Sequence, residues 1–362
     1  MERHVEDREW RASEGLADAP LPLDIYRCPV CASQLDFAST KQKVIVCRNA
    51  TCASQPEGFP VLGGRPVLID FAHSVVDRDT LMTTRGRPEV RRHRRLGGDR
   101  RLHMRVYDKM FGTDQSANYA AAEIQKRLRE LPYRPRVLSI GGGTIGSMQP
   151  LYEDPAIDVV AFDIYDSPHV CFLADAHAIP LADSSFDAIW IQAVLEHVLD
   201  PEKVVAEIHR LLRPQGLVYA GTPFMQQVHE GPYDFTRFTL SGHRWLFRRF
   251  TEIDAGVQGG VGVSLRWAIR YFAAGLFRSY WVGRLTEAAF FWLRYVDAVI
   301  PPPWNSDGAC GVWFFGSRTD SEMGPRQAVA YYRGAQRKTS NRDPPARERI
   351  LESGGRDAQA GP

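Results

Sequence analysis

The run Arg136-Val-Leu-Ser-Ile-Gly-Gly-Gly-Thr-Ile-Gly146 sets the frame for this chain. A short β-branched, apolar stretch ends in clustered glycines, and a helix can begin just beyond. A buried parallel strand turns this way when backbone must come close to a nucleotide-like ligand. Gly141, Gly143 and Gly146 have the G-x-G-x-x-G spacing, and Asp163 lies 20 residues beyond Gly143. A carboxylate there, at the tip of a second strand, can accept hydrogen bonds from ribose hydroxyls. Many loops carry glycines for turn geometry alone, so the rest of the chain has to identify the ligand.

Strand and helix patterns alternate after this turn. Asp158–Phe162, Val170–Leu173, Phe186–Ile191 and Leu217–Gly221 read as strands. A helix over 201–212 has Asp200 as its cap, Pro201 in its first turn and Val204, Val205, Ile208, Leu211 and Leu212 on its buried face. A helical pattern over 118–131 precedes the glycine-rich strand, with Ala121, Ile124 and Leu128 on one face. Such alternation predicts a doubly wound, mostly parallel α/β sheet. Ligands collect at the carboxyl ends of its strands, where Gly141, Gly142, Gly143, Asp163, Asp175 and Gln192 fall.

A second pattern lies near the start. Cys28 and Cys31 form C-x2-C; fifteen residues on, Cys47 and Cys52 form C-x4-C. Two such knuckles beside strands at Gln34–Phe37 and Lys43–Val46, with a third at Pro66–Ile69, can place four thiolates tetrahedrally around zinc. With every ligand a cysteine the site is closed, hence structural. A core this small needs metal or a docking partner. The segment from Cys28-Pro-Val-Cys-Ala-Ser-Gln-Leu35 through Phe59-Pro-Val-Leu-Gly-Gly-Arg-Pro-Val-Leu-Ile69 resembles the zinc ribbon of the tRNA-methyltransferase activator family.

At 362 residues there is room for two domains plus tails. The expected division is a loose tail at 1–24, a ribbon at 25–72, a basic linker at 73–109, an α/β domain at 110–318 and a disordered tail at 319–362. A net charge of +2 gives no global case for nucleic acid. Nine arginines between Arg85 and Arg105, offset by Glu89 and Asp99, read as a solvated linker. No signal peptide is legible in the polar first residues, and arginines and Asp297 interrupt the apolar region 261–300, which argues against a membrane span. A reducing cytoplasm is the expected compartment.

The downstream motifs are more specific than the glycines. Val137-Leu-Ser-Ile-Gly-Gly-Gly-Thr144, Asp163, Ala174-Asp-Ala-His-Ala-Ile-Pro-Leu-Ala-Asp-Ser-Ser-Phe-Asp187, Ala193-Val-Leu-Glu-His-Val-Leu-Asp-Pro201 and Glu207-Ile-His-Arg-Leu-Leu-Arg-Pro-Gln-Gly216 together resemble the methyltransferase-11 group of class I S-adenosylmethionine-dependent methyltransferases. The resemblance implies a seven-stranded Rossmann-like sheet. By position, Gly141, Gly142 and Gly143 would face the methionine part of the cofactor. Asp163 and Ile164 would hold the ribose, Asp175 and Ala176 would flank the adenine, and Gln192 would line the floor. The family usually has an acid at the place of Ser139 and a glycine at the place of Ile145; here the glycine comes one later, at Gly146.

Thr222-Pro-Phe-Met-Gln-Gln-Val-His-Glu-Gly-Pro-Tyr-Asp-Phe-Thr-Arg-Phe-Thr239 resembles an acceptor-side segment of bacterial members of that group. His229 is the expected base, with Asp234 to orient it or bind substrate and Arg237 to meet an anionic acceptor. Asp234 and Arg237 can instead simply pin the loop together. His197, beside Glu196, reads as structural or cofactor-side. The resemblance places two antiparallel strands at Thr251–Ala255 and Gly311–Gly316, separated by an aromatic, arginine-spaced insert, 257–308, reading as two amphipathic helices. The insert is expected to cap the acceptor site; extra core or an oligomer face, or peripheral membrane contact through 261–300, are the other readings. The expected reaction is methylation of a hydroxyl on a small-molecule, saccharide or lipid-linked acceptor, with no stable nucleic-acid partner. A non-catalytic binding module, a nicotinamide-dependent oxidoreductase and an RNA methyltransferase are the alternatives.

Overall fold

The computed structural model describes residues 21–37, 44–54, 57–87 and 114–337. The tail before residue 21, most of the arginine run and the last residues lie outside these.

The sheet is built on β5 (Arg136–Ile140), β6 (Asp158–Asp163), β7 (Phe172–Ala174), β8 (Phe186–Gln192) and β9 (Leu212–Pro223), with β10 (Phe250–Gln258) and β11 (Gly311–Arg318) completing one edge. The order β7-β6-β5-β8-β9-β11-β10 is parallel except where β11 enters antiparallel to both β9 and β10. Alternate residues serve opposite faces, as the strand period of two dictates. Val137, Ala188, Trp190, Leu217 and Tyr219 pack toward helix α2 (Gln115–Arg129), which buries Ala117, Ala120, Ala121, Ile124 and Leu128. Leu138, Ile140, Ile189, Ile191, Val218 and Ala220 pack on the other face with Val204, Val205, Ile208 and Leu211 of α4 (Pro201–Leu211). Both faces are covered, so these strands read as near-continuous apolar runs.

The sheet has eleven strands, not the seven expected. The extra four belong to the ribbon: β1 (Leu35–Asp36), β2 (Val44–Cys47), β3 (Phe59–Leu62) and β4 (Arg65–Leu68). β4 pairs in parallel with β7, Val67 opposite Leu173 and Leu68 opposite Ala174. Without it β7 would be an apolar edge with unpaired backbone. Tyr26 sits beneath, edge-on to Phe172, and the backbone of Arg27 donates to Pro180. Ribbon and α/β domain therefore share one core.

Other expectations shift. The third strand starts later, at Phe172, and β9 starts earlier, at Leu212. Phe186 pairs with Leu212 and Ala188 with Leu217, so the residues around Pro214 form a bulge and not a break. Part of the expected linker is ordered: α1 (Arg78–Thr84) is capped by Asp77, and the carbonyl of Gly86 accepts the Asp166 N–H at 2.8 Å. After a short α3 (Gln149–Tyr152), the α4 helix and α5 (Leu240–Leu246), the insert forms α6 (Val261–Leu276), α7 (Tyr280–Ala289), α8 (Leu293–Val296) and α9 (Pro302–Asp307). Residues expected to be tail form α10 (Pro325–Ala330), and Arg333 there pairs with Glu252 at 2.7 Å. Among the described residues no helix is long and apolar enough to cross a membrane.

Candidate cofactor cavity and acceptor site

Gly141 has φ +71°, and a Cβ there would stand 2.3 Å from Val194 Cγ2. A Cβ at Gly142 would stand 2.5 Å from that of Ala161, and the Gly142 N–H donates to Phe162 O at 3.0 Å. Side chains are excluded here because the turn is wedged between β6 and the loop after β8. A cavity of about 270 Å³ opens where this turn meets the ends of β5 and β8. It is lined by Ser139, Gly141, Thr144, Gly146, Trp190 and Gln192 among others.

Gly141 and Gln192, of the residues expected to hold a cofactor, lie in that lining. Gln192 also donates to Asp114 Oδ2 at 2.7 Å, as Gln258 does at 2.9 Å. Asp114 caps α2, so this carboxylate ties the helix to the ends of β8 and β10. Gly143 follows in the same turn. Asp163 ends β6, buried, and accepts the Tyr165 N–H at 3.3 Å; Ile164 beside it is half-buried. Asp175 and the buried Ala176 follow β7. Asp175 Oδ2 accepts Ser74 Oγ–H at 2.5 Å, and its Oδ1 accepts the backbone N–H of His177 at 2.9 Å and meets the ring Nδ1 at 2.6 Å. Burial alone would push its carboxyl up, but the bonds from His177 and Ser74 hold it below the usual range. Ser74, Asp114 and Trp190 were not legible as site residues; an Asp just ahead of an apolar helical pattern signals only a cap.

At the end of β8, Ala193 takes the left-handed region at φ 54°, unusual for a residue with a Cβ. It turns the chain into a 3-10 helix, Leu195–His197. The carbonyl of Glu196 accepts the N–H groups of Phe235 at 2.8 Å and Thr236 at 3.2 Å, which fastens the 224–239 loop onto this turn. Within the loop, Asp234 accepts the His229 N–H at 2.9 Å and a bidentate contact from Arg237. Arg237 donates in addition to the carbonyls of Gln226, Thr236 and Gln227. Its guanidinium is thus committed to holding the loop.

The structure brings His229 to Glu196 and His197. Its Nε2 lies 3.8 Å from Glu196 Oε1, and the His197 Nε2 lies 3.6 Å from the same oxygen. Burial pushes the His229 imidazole down, but the nearby Glu196 carboxylate outweighs it, with help from the Gln227 carbonyl and Asp234, and raises it above its ordinary value. The insert closes over this loop: the Trp267 ring stands 6.3 Å from that of His229, and Tyr271 OH donates to Val228 O at 2.7 Å.

In the ribbon, Cys28 and Cys52 Sγ are 3.7 Å apart and Cys31 and Cys47 Sγ 3.5 Å, with all four within 4.8 Å of one another. Sulfurs about 2.3 Å from one tetrahedral ion stand about 3.8 Å apart. The cluster is thus compatible with metal binding.

A doubly wound sheet with a glycine turn and acidic strand ends defines a nucleotide-type cofactor fold. Residues 138–220 match the model of the methyltransferase domain family. Demethylmenaquinone methyltransferase of Renibacterium salmoninarum is 41% identical over 91 residues, 22% of this chain and 38% of that protein. Malonyl-[acyl-carrier protein] O-methyltransferase of Pseudescherichia vulneris is 28% identical over 114 residues, 29% of this chain and 43% of the relative. The chain thus spans well under half the length of these relatives. A solved phosphoethanolamine N-methyltransferase of Haemonchus contortus superposes with a TM-score of 0.37 at 17% identity, over 60% of this chain and 57% of that one.

Proposed function

We propose that the protein is an S-adenosylmethionine-dependent methyltransferase acting on a hydroxyl of a small-molecule, saccharide or lipid-linked acceptor. One observation carries this: the cavity at the left-handed Gly141 turn lies inside the segment that matches the methyltransferase family. Gly141, Gly142 and Gly143 would let backbone approach the methionine moiety, Asp163 and Ile164 would hold the ribose, and Ala176 would flank the adenine. Asp175 would brace that wall, its carboxylate already bound by Ser74 and His177. When bound, S-adenosylmethionine supplies an electrophilic methyl group. Transfer by in-line displacement asks the protein mainly for alignment and, at a hydroxyl, for a base.

His229 would take that proton at Nε2, a role supported by its Nδ1 facing Gln227 O at 3.3 Å and Asp234 Oδ2 at 3.4 Å. Asp234 and Arg237 fix the loop that carries it. Trp267 and Tyr271 would keep water from the acceptor. Cys28, Cys31, Cys47 and Cys52 would bind a structural zinc ion. A lipid-linked acceptor is supported by the insert's outer face, where Phe272, Leu276, Trp281 and Leu285 are exposed.

Isothermal titration of the full chain with S-adenosylmethionine tests the reading, and absence of binding to metal-replete protein overturns it. Asp163→Ala should weaken binding roughly tenfold or more, the usual cost of a lost hydrogen bond to a charged group. Unchanged affinity would remove Asp163 from the site.

A further inference from the structure

We infer that Glu196, His197 and His229 form a second metal centre, for a divalent cation of borderline hardness such as Zn²⁺, Co²⁺ or Fe²⁺. Their ligand atoms lie within 4.8 Å of one another.

The first observation is Glu196. Its side chain has no exposed surface, and neither carboxylate oxygen has a hydrogen-bond partner among the described residues. A buried carboxylate in that state is costly unless a positive charge meets it. Glu196 Oε1 meets two imidazole Nε2 atoms, at 3.6 and 3.8 Å, beyond hydrogen-bond length.

The second observation is how the imidazoles are held. His197 Nδ1 lies 2.8 Å from Tyr233 O and His229 Nδ1 3.3 Å from Gln227 O. A carbonyl can only accept, so Nδ1 carries the proton in both rings, and in the neutral rings both Nε2 lone pairs point inward. Metal-bound histidines are held the same way, their other ring nitrogen donating to a carbonyl or carboxylate. Asp234 Oδ2 behind His229 and the rings' mutual tilt of 74° at 5.0 Å complete the support.

The third is fit. Nitrogen and oxygen ligands about 2.1 Å from one ion stand about 3.0–3.4 Å apart at octahedral to tetrahedral angles. The two spacings to Glu196 Oε1, 3.6 and 3.8 Å, are a few tenths of an ångström wider, and the imidazole nitrogens lie within 4.8 Å of each other, a closure within the reach of loop side chains. Two imidazoles and one carboxylate leave coordination positions open, unlike the four-thiolate ribbon. For the acceptor chemistry this rests on the proposed methyltransferase reading. With an ion in place His229 Nε2 would be a ligand and not the base, and the ion would take over activation of the acceptor hydroxyl, whose proton would pass to water bound at the ion's open positions. The oxygen–carbon bond then forms as the carbon–sulfur bond breaks, its electron pair leaving on sulfur.

The test uses the full chain with zinc in the ribbon, titrated with Co²⁺, whose entry into the thiolate site would show as sulfur-to-metal charge transfer. Calorimetry should give a single Co²⁺ equivalent with weak visible bands and no sulfur-to-metal charge transfer. Glu196→Gln, His197→Ala and His229→Ala should each abolish it, and Asp234→Asn should weaken it roughly tenfold or more. His197→Gln, closer in size, serves if an alanine variant loses its melting transition. A wild type that binds no Co²⁺, or variants that bind it unchanged, overturns the centre. Co²⁺ binding at these residues without S-adenosylmethionine binding upholds the centre while overturning the methyltransferase reading.

Discussion

His243, on α5, is a single residue with a measurable signature. It is fully buried against Phe238 and Phe247, and neither ring nitrogen has a hydrogen-bond partner among the described residues. Burial pushes its pKa from 6.5 down to about 3. In the unfolded chain the ring protonates near 6.5, so as pH falls the unfolded state takes the proton first. The contribution to stability is complete above about pH 6.5 and is lost progressively down to about pH 3, at up to about 1.4 kcal/mol per pH unit. His243→Leu should flatten that part of the acid profile while changing stability little at neutral pH, because no hydrogen bond is lost. Urea midpoints of both proteins between pH 4 and 7 check this; parallel profiles would rule it out.

At the scale of elements, the insert hairpin is turned inside out. Arg266, Arg270 and Glu287 face inward, with Arg270 3.3 Å from Glu287, while Phe272, Leu276, Trp281 and Leu285 face solvent. The sequence shows helical spacing here but not which face goes in, since the usual rule buries the apolar stripe. Elsewhere periodicity and caps carried farther: the helix begun by Asp200 and the strands ending at Asp163 and Gln192 lie where the pattern puts them. The Glu196–His197–His229 cluster was hidden because its members come from two loops, and only folding shows that they meet. Arg237 was legible as a partner for Asp234 but not as filled by three loop carbonyls. In the hairpin, Glu287→Gln leaves Arg266 and Arg270 without this counter-charge. Breaking a buried pair from one side costs about 3–5 kcal/mol. Chemical denaturation should show a loss of that order, and a loss below about 1 kcal/mol would mean that water reaches the pair.

At the scale of the molecule, ribbon and α/β domain are joined through one core. The β4–β7 pairing and the Tyr26–Phe172 contact cross between them, and the Ser74–Asp175 bond ties the chain just after the ribbon to the same edge. Sequence pattern showed a strand at Pro66–Ile69 but could not show its partner, more than a hundred residues away, because parallel pairing leaves no local signature. Removing the zinc proposed at the four cysteines should therefore act beyond the ribbon. A small thiolate-held domain owes much of its folding free energy to the ion. Its loosening would expose the β7 edge and release Ser74 from Asp175. A chelator with reductant should lower the melting temperature of one shared transition, each kcal/mol moving it by roughly 2–4 °C. It should also weaken S-adenosylmethionine binding, since Asp175 would lose its brace. The same drop should appear in His229→Ala, which keeps all four cysteines and so separates the ribbon from the inferred second centre. Two transitions, with the larger unmoved by chelation, would show instead that the ribbon folds and melts alone.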